Sequence, residues 1–379
     1  MATVIAPGSI RSASATMQRQ SNWFLPWAAF GFAWCVLIVY MAIGWFTSDE
    51  FYRVVPTGPD IPPVWMVISA RVIEIISVSC SIFVVYKYLI KPWRLTGEMS
   101  GDGILMLACA TMYVQDFWCN YFGYFCQLSS VFISWGSWAN FVPGWVSPNH
   151  GRLPEAPVAW GMCYGSWFVL LPMIYGGKAM GWLRSKYPRM SSLQMFGVAF
   201  IAFTIAWFCV EATFLRTGMY AYGVAIEPLT LWYGEYYQYP IYEFVAWGLC
   251  YAIFASLYYY RDDKGLTYVE KGIDKLQVSG PKKKALRFFA LTGFMNIVFL
   301  FLWSFPMSLT TLWAGPLSKE MPSFLVNDLC GPNTNYDCPA PEVPLARRSS
   351  LTNRTVSADQ LPVSAEQQAL KNRVDQFAN

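Results

Sequence analysis

The chain has 379 residues, of which 55% are hydrophobic, 18% are aromatic and only 13% are charged. This composition excludes an ordinary soluble protein, in which about 25% of the residues are charged. The net charge is only +4 and the basic residues lie in particular loops, which is typical of membrane topology, so no nucleic-acid partner is expected. Long apolar runs instead predict an all-α, polytopic membrane helix bundle that is integral to the membrane.

Seven apolar runs are each about long enough to cross roughly 30 Å of hydrocarbon as a helix. They cover residues 24–47, 64–91, 103–126, 158–182, 193–216, 238–260 and 287–313. Pro172 is predicted to kink the fourth span, because proline removes a helix hydrogen bond. Residues 23–315 are therefore predicted to form the transmembrane bundle. Residues 1–22 are predicted to be a disordered N-terminal segment, and residues 316–379 an extramembrane, largely disordered tail.

Basic residues predict the orientation of the bundle. The N-terminus and the loops after spans two, four and six carry 17 Lys and Arg residues, whereas the opposite loops and the start of the tail carry 4. These counts assign basic residues at the span ends to the adjacent loops, namely Lys87, Lys91, Lys178, Arg216 and Arg287. Because positively charged loops stay on the cytoplasmic side, the N-terminus is predicted to be cytoplasmic and the C-terminus to lie outside.

Four carboxylic acids lie within the predicted spans. The predicted orientation places all four at about the same depth in the membrane. They are Glu74, Asp116, Glu211 and Glu243. Arg71 lies one turn before Glu74, and Asn120 one turn after Asp116, so each pair is predicted to share a helix face. Charged side chains are costly in hydrocarbon, so they normally face the bundle interior and mark a functional site. We therefore predict that the four acids are catalytic residues of one membrane-embedded acid site.

Structural roles are the alternatives for each of these groups. The pair on the second span would be an ion pair that holds helices together. The pair on the third span would form interhelical hydrogen bonds. Glu211 would snorkel towards the interface, and Glu243 would lie at the interface as well.

Aromatic and turn-forming residues crowd the two loops after spans three and five. Aromatic rings with polar tips suit an amphipathic ligand that arrives from the membrane interface, so these loops are predicted to form a lid over the acids. The candidate substrate-binding residues are Arg71, Gln115, Asn120, Tyr124, Trp138, Trp145, Tyr220, Tyr222 and Tyr239. An ordinary aromatic belt is the alternative.

Several chemistries are excluded by what the sequence lacks. His150 is the only histidine, so neither the His-rich boxes of di-iron membrane enzymes nor an HExxH zinc site is present. No phosphate-binding or dinucleotide-binding glycine pattern follows a predicted strand. We therefore predict no metal and no other cofactor. Cys330 and Cys338 lie on the predicted outer side, where we expect a disulfide, with free thiols as the alternative.

Several short motifs resemble the AveC-like spirocyclase family of actinobacterial membrane proteins. They are NYFGY after the intramembrane aspartate, GSW, PGW and LPEAP in the following loop, GxYxYG and YPIYE around the fifth loop, and YYYRDDKGLTYVEKG after span six. The resemblance extends from about span two to Gly272. It implies cyclisation of a dihydroxy-ketone into a spiroketal, sometimes with dehydration, in polyketide biosynthesis, and it implies a location in a bacterial plasma membrane.

The residues are compatible with that chemistry, because spiroketal formation needs an acid and a base but no redox cofactor. We assign Asp116 or Glu74 as the acid, Glu211 or Glu243 as the base, and Asn120 with the tyrosines as orienting donors. The predicted function is thus a lyase- or isomerase-type cyclase acting on a lipophilic, polyketide-like or lipid-like hydroxyketone, with membrane lipids as the surroundings. A transporter or lipid-binding protein with the same acidic cluster is the alternative, and a structural membrane subunit is a third reading.

Overall fold

A computed structural model of the protein describes residues 23–49, 51, 55, 57–147, 153, 157–161, 163–318, 321–326 and 329–330. The predicted N-terminal segment and most of the predicted tail lie outside these residues, as do His150 and Cys338. Cys330 is disulfide-bonded, in agreement with the expectation of a disulfide there.

Helices account for nearly all of the regular structure in the described residues. The α-helices are α1 (Phe24–Phe46), α2 (Val64–Val85), α3 (Lys91–Thr96), α4 (Gly101–Ala110), α5 (Leu170–Lys186), α6 (Ser192–Arg216), α7 (Ile241–Tyr259), α8 (Gly280–Phe299), α9 (Phe305–Thr310) and α10 (Ser323–Val326). Wider π-helical turns lie at Tyr86–Ile90, Pro157–Gly161, Tyr164–Phe168 and Leu300–Ser304. Two short antiparallel ladders pair β1 (Cys126–Leu128) with β2 (Tyr220–Tyr222), and β3 (Thr230–Leu231) with β4 (Tyr239–Pro240).

Six helical stretches in the described residues are long and apolar enough to cross a membrane, which supports the prediction of a polytopic helical membrane protein. They are Phe24–Phe46, Val64–Thr96, Val158–Lys186, Ser192–Arg216, Ile241–Tyr259 and Gly280–Thr310. Their outward faces carry large exposed apolar side chains such as Ile43, Ile76 and Ile205, as expected of surfaces that meet lipid.

The third predicted span, residues 103–126, has a different form. α4 ends at Ala110, the next 10 residues (Thr111–Asn120) form a 3-10 helix, and the chain then turns into β1. A rise of about 1.5 Å per α-helical residue and about 2.0 Å per 3-10 residue gives about 35 Å together, enough to cross about 30 Å of hydrocarbon. A 3-10 run of this length is uncommon, and its three residues per turn change which side chains share a face.

Glycines set the contact between α1 and α8. A Cβ atom on Gly31 would lie 1.9 Å from the carbonyl oxygen of Phe289, and one on Gly293 would lie 2.0 Å from that of Trp27. Only glycine allows the two backbones to approach this closely, as in other membrane helix pairs with small residues at the contact.

α5 and α6 both pack along α7 more closely than along each other. Gly177 brings α5 close to Ala255 of α7, and Gly248 brings α7 close to Thr204 of α6. These contacts leave a groove between α5 and α6 on the outward side of the bundle.

The break in the fourth span lies before Pro172 rather than at it. Ser166 has non-helical φ and ψ angles of −132° and −108°, and α5 begins at Leu170. The ring of Pro172 lacks an N–H and crowds the carbonyl four residues earlier, so a regular helix cannot continue back through Phe168. This irregular segment places Tyr164 and Phe168 in the interior of the bundle.

Candidate functional site

A cavity of about 40 Å³ lies inside the bundle, between the 3-10 segment, α6, α7 and the β1–β2 ladder. Three carboxylic acids line it: Asp116, Glu211 and Glu243. The other lining residues are apolar or weakly polar, and most are aromatic: Cys126, Leu128, Trp160, Tyr164, Phe168, Trp207, Tyr220, Tyr222, Trp247 and Trp303. None of these described lining residues is basic, so the cavity combines buried acid with aromatic walls.

Glu211 accepts hydrogen bonds from three tyrosines. The phenols of Tyr220 and Tyr222 both donate to Oε1, the former at 2.7 Å, and the phenol of Tyr239 donates to Oε2. Burial, followed by the charge of Glu211, raises the pKa of all three phenols, so they stay protonated as donors. Both carboxyl oxygens of Glu211 therefore act as hydrogen-bond acceptors of phenol groups.

The strand ladder explains why two of these tyrosines face the cavity. Tyr222 lies opposite Cys126, and Tyr220 lies opposite Leu128. Alternate residues of a strand point to the same face, so all four side chains line the cavity while the residues between them point away. Asn120 holds β1 in place, since its side chain donates to the Cys126 carbonyl at 2.6 Å and accepts from the Cys126 N–H at 2.8 Å.

Glu243 is in the first turn of α7, and its side chain lies next to that of Glu211 on α6. Its Oε1 accepts a hydrogen bond of 3.0 Å from Trp303 Nε1, whereas its Oε2 has no donor in the described structure. Trp207 and Glu211 are four residues apart on α6, as are Glu243 and Trp247 on α7, so each helix presents an indole and an acid on one face.

Asp116 accepts a hydrogen bond from the phenol of Tyr164 and keeps part of its surface open. The prediction that Asn120 lies on the same helix face as Asp116 is wrong. In a 3-10 helix four residues make one turn and about 120° more, so the two side chains point in different directions. Gln115 also points elsewhere: its Nε2 donates to Asn296 Oδ1 at 2.7 Å and its Oε1 accepts from Ser304 at 3.2 Å. These two amides therefore support the cavity without lining it.

The predicted convergence of four acids and an arginine holds for three of the acids. Arg71 and Glu74 form an ion pair at 2.7 Å, away from the cavity lining. Glu74 accepts from the Ile133 N–H at 2.8 Å, and Arg71 donates to the Val131 carbonyl. The next polar residue on this face, Ser77, donates to the Ala159 carbonyl at 2.6 Å. The π-helical segments thus separate α2 from the cavity, and this polar face of α2 anchors them.

Apart from Leu128, the described part of the loop after the third predicted span does not line the cavity either. Trp138 donates from Nε1 to the Val114 carbonyl at 3.1 Å, and Trp145 packs against Phe117 at 5.4 Å between ring centroids. Tyr124 donates to the carbonyl of Leu329 at 3.0 Å. Trp138 and Trp145 thus cover the 3-10 segment, whereas the loop after span five supplies Tyr220 and Tyr222 of the cavity lining.

Sequence reasoning missed several cavity residues, above all Tyr164 and Trp303. Tyr164 comes from an irregular turn, and Trp303 from the π-helical turn after α8, so neither follows from helical spacing. The i, i+4 spacing of the acids with Trp207 and Trp247 is a signal that does find two of the indoles. Among the described residues, no group of three or more His, Cys, Asp or Glu side chains could hold a metal ion.

Comparison with known proteins identifies a family. No curated protein and no solved structure matches the chain. The family model described as "Spirocyclase AveC-like" matches residues 98–326, more than half of the chain and the part that contains every residue lining the cavity. The chain therefore belongs to the AveC-like spirocyclase family, which indicates a polyketide-related cyclase.

Proposed function

We propose that this protein is a cofactor-independent membrane cyclase that closes a lipophilic, polyketide-like dihydroxy-ketone into a spiroketal by carboxyl acid/base catalysis. The observation that carries this proposal is the cavity itself, in which three acids face aromatic walls and no described lining residue is basic. Such a cavity is complementary to a substrate that becomes positively charged as it reacts. The proposed location is a bacterial plasma membrane.

The reaction balances without a redox partner. One hydroxyl adds to the ketone and forms a hemiketal. The hemiketal oxygen then takes a proton and leaves as water, which produces an oxocarbenium ion. The second hydroxyl attacks that carbon and gives up its proton, so that the acid and the base return to their starting states. Two C–O bonds form, the ketone oxygen leaves as water, and no net charge is transferred.

Hydrogen bonding supports a division of roles among the three acids. Two adjacent buried carboxyl groups cannot both be ionised, so the Glu211–Glu243 pair shares a proton. Three phenols keep the charge on Glu211, and the proton on Glu243 satisfies its otherwise unpaired Oε2. Glu243 is then the general acid. Asp116, which has one phenol donor, is the stronger base and takes the proton of the attacking hydroxyl.

Glu211 and the indoles then have an electrostatic role. An ionised carboxylate beside the reacting carbon stabilises the developing oxocarbenium charge. The faces of Trp207 and Trp247, whose centroids are 5.5 Å apart, add cation–π attraction and exclude water. This assignment reverses the role expected for Asp116 from the sequence and leaves Glu74 outside the chemistry.

A chiral product gives a decisive test. The purified protein in detergent is incubated with a symmetrical dihydroxy-ketone that has four methylenes between the carbonyl and each hydroxyl. Spontaneous closure gives equal amounts of the two spiroketal enantiomers, whereas the enzyme gives an excess of one. We expect Glu243→Gln and Asp116→Asn to lose this excess and at least a hundredfold in rate. Glu235→Gln, an exposed acid on the loop that carries Tyr239, is the matched control and should retain both.

Two results would contradict the proposal. One is a racemic product formed at the same rate with and without the wild-type protein. The other is uptake of the unchanged dihydroxy-ketone into sealed proteoliposomes with no spiroketal formed, which would favour a transporter that uses the same acids.

A further inference from the structure

The carboxyl-lined cavity lies at the inner end of a chain of cavities along α6. At the far end, a cavity of about 850 Å³ beside the α5–α6 loop shares Val198 with a groove of about 410 Å³ between α5 and α6. That groove shares Ala206 with a third cavity of about 310 Å³. The third cavity shares Phe168 and Trp207 with the carboxyl-lined cavity. Shared walls therefore connect the lipid-facing surface to the acids.

The sequence of α6 explains this continuity. Val198, Ala202, Ala206 and Val210 recur every four residues and lie along one face of the helix, next to the face that carries Glu211. From Gln194 at the end beside the α5–α6 loop to Glu211, the chain of cavities follows about 25 Å of helix. The alanines leave space where larger side chains would close it.

α5 contributes the opposite wall. Gly176 and Ala179 line the groove, so part of this wall is as small as the alanines of α6, and Tyr175, Trp182 and Leu183 line the rest. Because both helices pack on α7, the space between them stays open towards lipid. The groove is almost entirely apolar, which suits a hydrocarbon chain rather than a polar ligand.

Phe168 and Trp207 form the boundary between the groove and the acids. Their rings meet edge to face with centroids 5.1 Å apart, and both side chains line the cavities on either side. Trp207 is 8% exposed, and its Nε1 donor has no acceptor in the described structure. A buried donor without a partner is costly, and an oxygen of an arriving ligand would satisfy it.

The small size of the inner cavity makes this boundary important. About 40 Å³ accommodates a few water molecules but not a long ketone. A lipophilic substrate can therefore place its reacting carbon among the acids only if the rest of its chain lies outside the cavity. The groove offers the chain a place that is continuous with the acids and open to lipid.

We propose that the α5–α6 groove receives the aliphatic chain of the dihydroxy-ketone laterally from the membrane, with Phe168 and Trp207 as the gate to the acids. This inference rests on the proposed function and identifies the substrate class as a dihydroxy-ketone with a long hydrocarbon arm. Trp207 Nε1 donates to a substrate oxygen as the ketone passes the gate, and the arm remains between the two helices while the rings close.

A groove-filling variant tests the inference by kinetics. Ala206→Trp places an indole where two of the cavities meet, and Ile205→Trp, at an outward position that is 59% exposed and lines no described cavity, is its matched control. The measured quantity is the ratio of kcat/KM for a long-arm dihydroxy-ketone to that for the short symmetrical one. We expect Ala206→Trp to lower this ratio at least tenfold and Ile205→Trp to leave it within twofold of wild type.

Photolabelling tests the groove without relying on turnover. A long-arm dihydroxy-ketone with a diazirine at the end of its arm is cross-linked to wild type, to Glu211→Gln and to Ala206→Trp, and the labelled peptides are mapped. We expect label on α5 and α6 in the first two proteins and a loss of at least fivefold in the third. Labelling that excess phosphatidylglycerol abolishes would identify a lipid site and overturn the inference.

The outcomes separate the two proposals. If Glu211→Gln abolishes turnover but Ala206→Trp and Ile205→Trp behave alike, the groove assignment is wrong and the proposed cyclase stands. If wild type makes no spiroketal yet labels α5 and α6 as expected, the cyclase proposal fails and chain binding in the groove stands. If neither turnover nor labelling occurs, both fail.

Discussion

Replacement of Glu211 by glutamine tests the electrostatic core of the proposed mechanism. A cavity of about 40 Å³ confines the reacting carbon to within about 5 Å of the acids that line it. At that distance, with an effective dielectric constant of about 20, a carboxylate stabilises a full positive charge by about 3 kcal/mol. Loss of this interaction in the transition state corresponds to a decrease of roughly a hundredfold in kcat. Glutamine keeps the shape of the side chain, so the decrease reports the charge rather than a void.

The assay is kcat for enantioselective spiroketal formation at saturating substrate, with thermal unfolding in detergent to show that the variant is folded. Because the charge acts on the transition state, KM should change much less than kcat. Glu235→Gln removes an exposed negative charge from the preceding loop and should retain the wild-type kcat. A folded Glu211→Gln protein with kcat within twofold of wild type would refute the reasoning, because the site would then not depend on this charge.

Three further predictions follow from the surroundings of the site and the helix contacts. Tyr222→Phe removes one charge-assisted hydrogen bond to Glu211, worth about 1.5–3 kcal/mol, and should lower kcat by roughly ten- to hundredfold. Gly31→Ala forces a Cβ against the backbone of α8 and should lower the free energy of unfolding by about 1–3 kcal/mol, measured by thermal unfolding. Its control is Gly197→Ala, in which the added Cβ meets nothing within 4 Å, so this variant should be neutral or slightly stabilising. Folding raises the pKa values of Tyr220, Tyr222 and Tyr239, the three phenols that donate to Glu211, so the folded protein binds their protons more tightly than the unfolded chain does. The free energy of unfolding should therefore fall as the pH rises above about 10, where the phenols of the unfolded chain ionise. It should fall less steeply in Tyr222→Phe, which lacks one of these phenols.

Much of the site was predictable because intramembrane polar residues are rare. That argument, with the predicted orientation, selects Asp116, Glu211, Glu243 and Glu74, and the first three line one cavity. The GxYxYG motif placed two tyrosines two residues apart, and a strand turns that spacing into a shared face beside the acids. Sequence composition likewise predicts a membrane helix bundle, since runs of apolar residues have few other stable folds.

The rest depended on backbone geometry that periodicity does not reveal. An apolar run beginning at α4 favours a regular helix, yet Thr111–Asn120 winds as a 3-10 helix and separates Asp116 from Asn120. Glu74 is also a carboxylic acid and is predicted to share the depth of the cavity acids, but the π-helical segments lie between it and the cavity. Whether two polar residues meet across a bundle depends on packing between distant segments, and spacing within one segment carries no information about that.

The three acids that line the cavity lower the stability of the folded protein, which supports a role for them in catalysis rather than in packing. Buried charges without a basic partner cost several kcal/mol, and neutral replacements are often stabilising. Glu243→Gln is the clearest case, because its amide can donate to Glu211 where the acid relies on a shared proton. We therefore expect this variant to unfold at a higher temperature than wild type while losing turnover, as active-site groups that oppose stability do. A variant that is both less stable and fully active would mean that Glu243 serves the packing of α7 rather than the reaction.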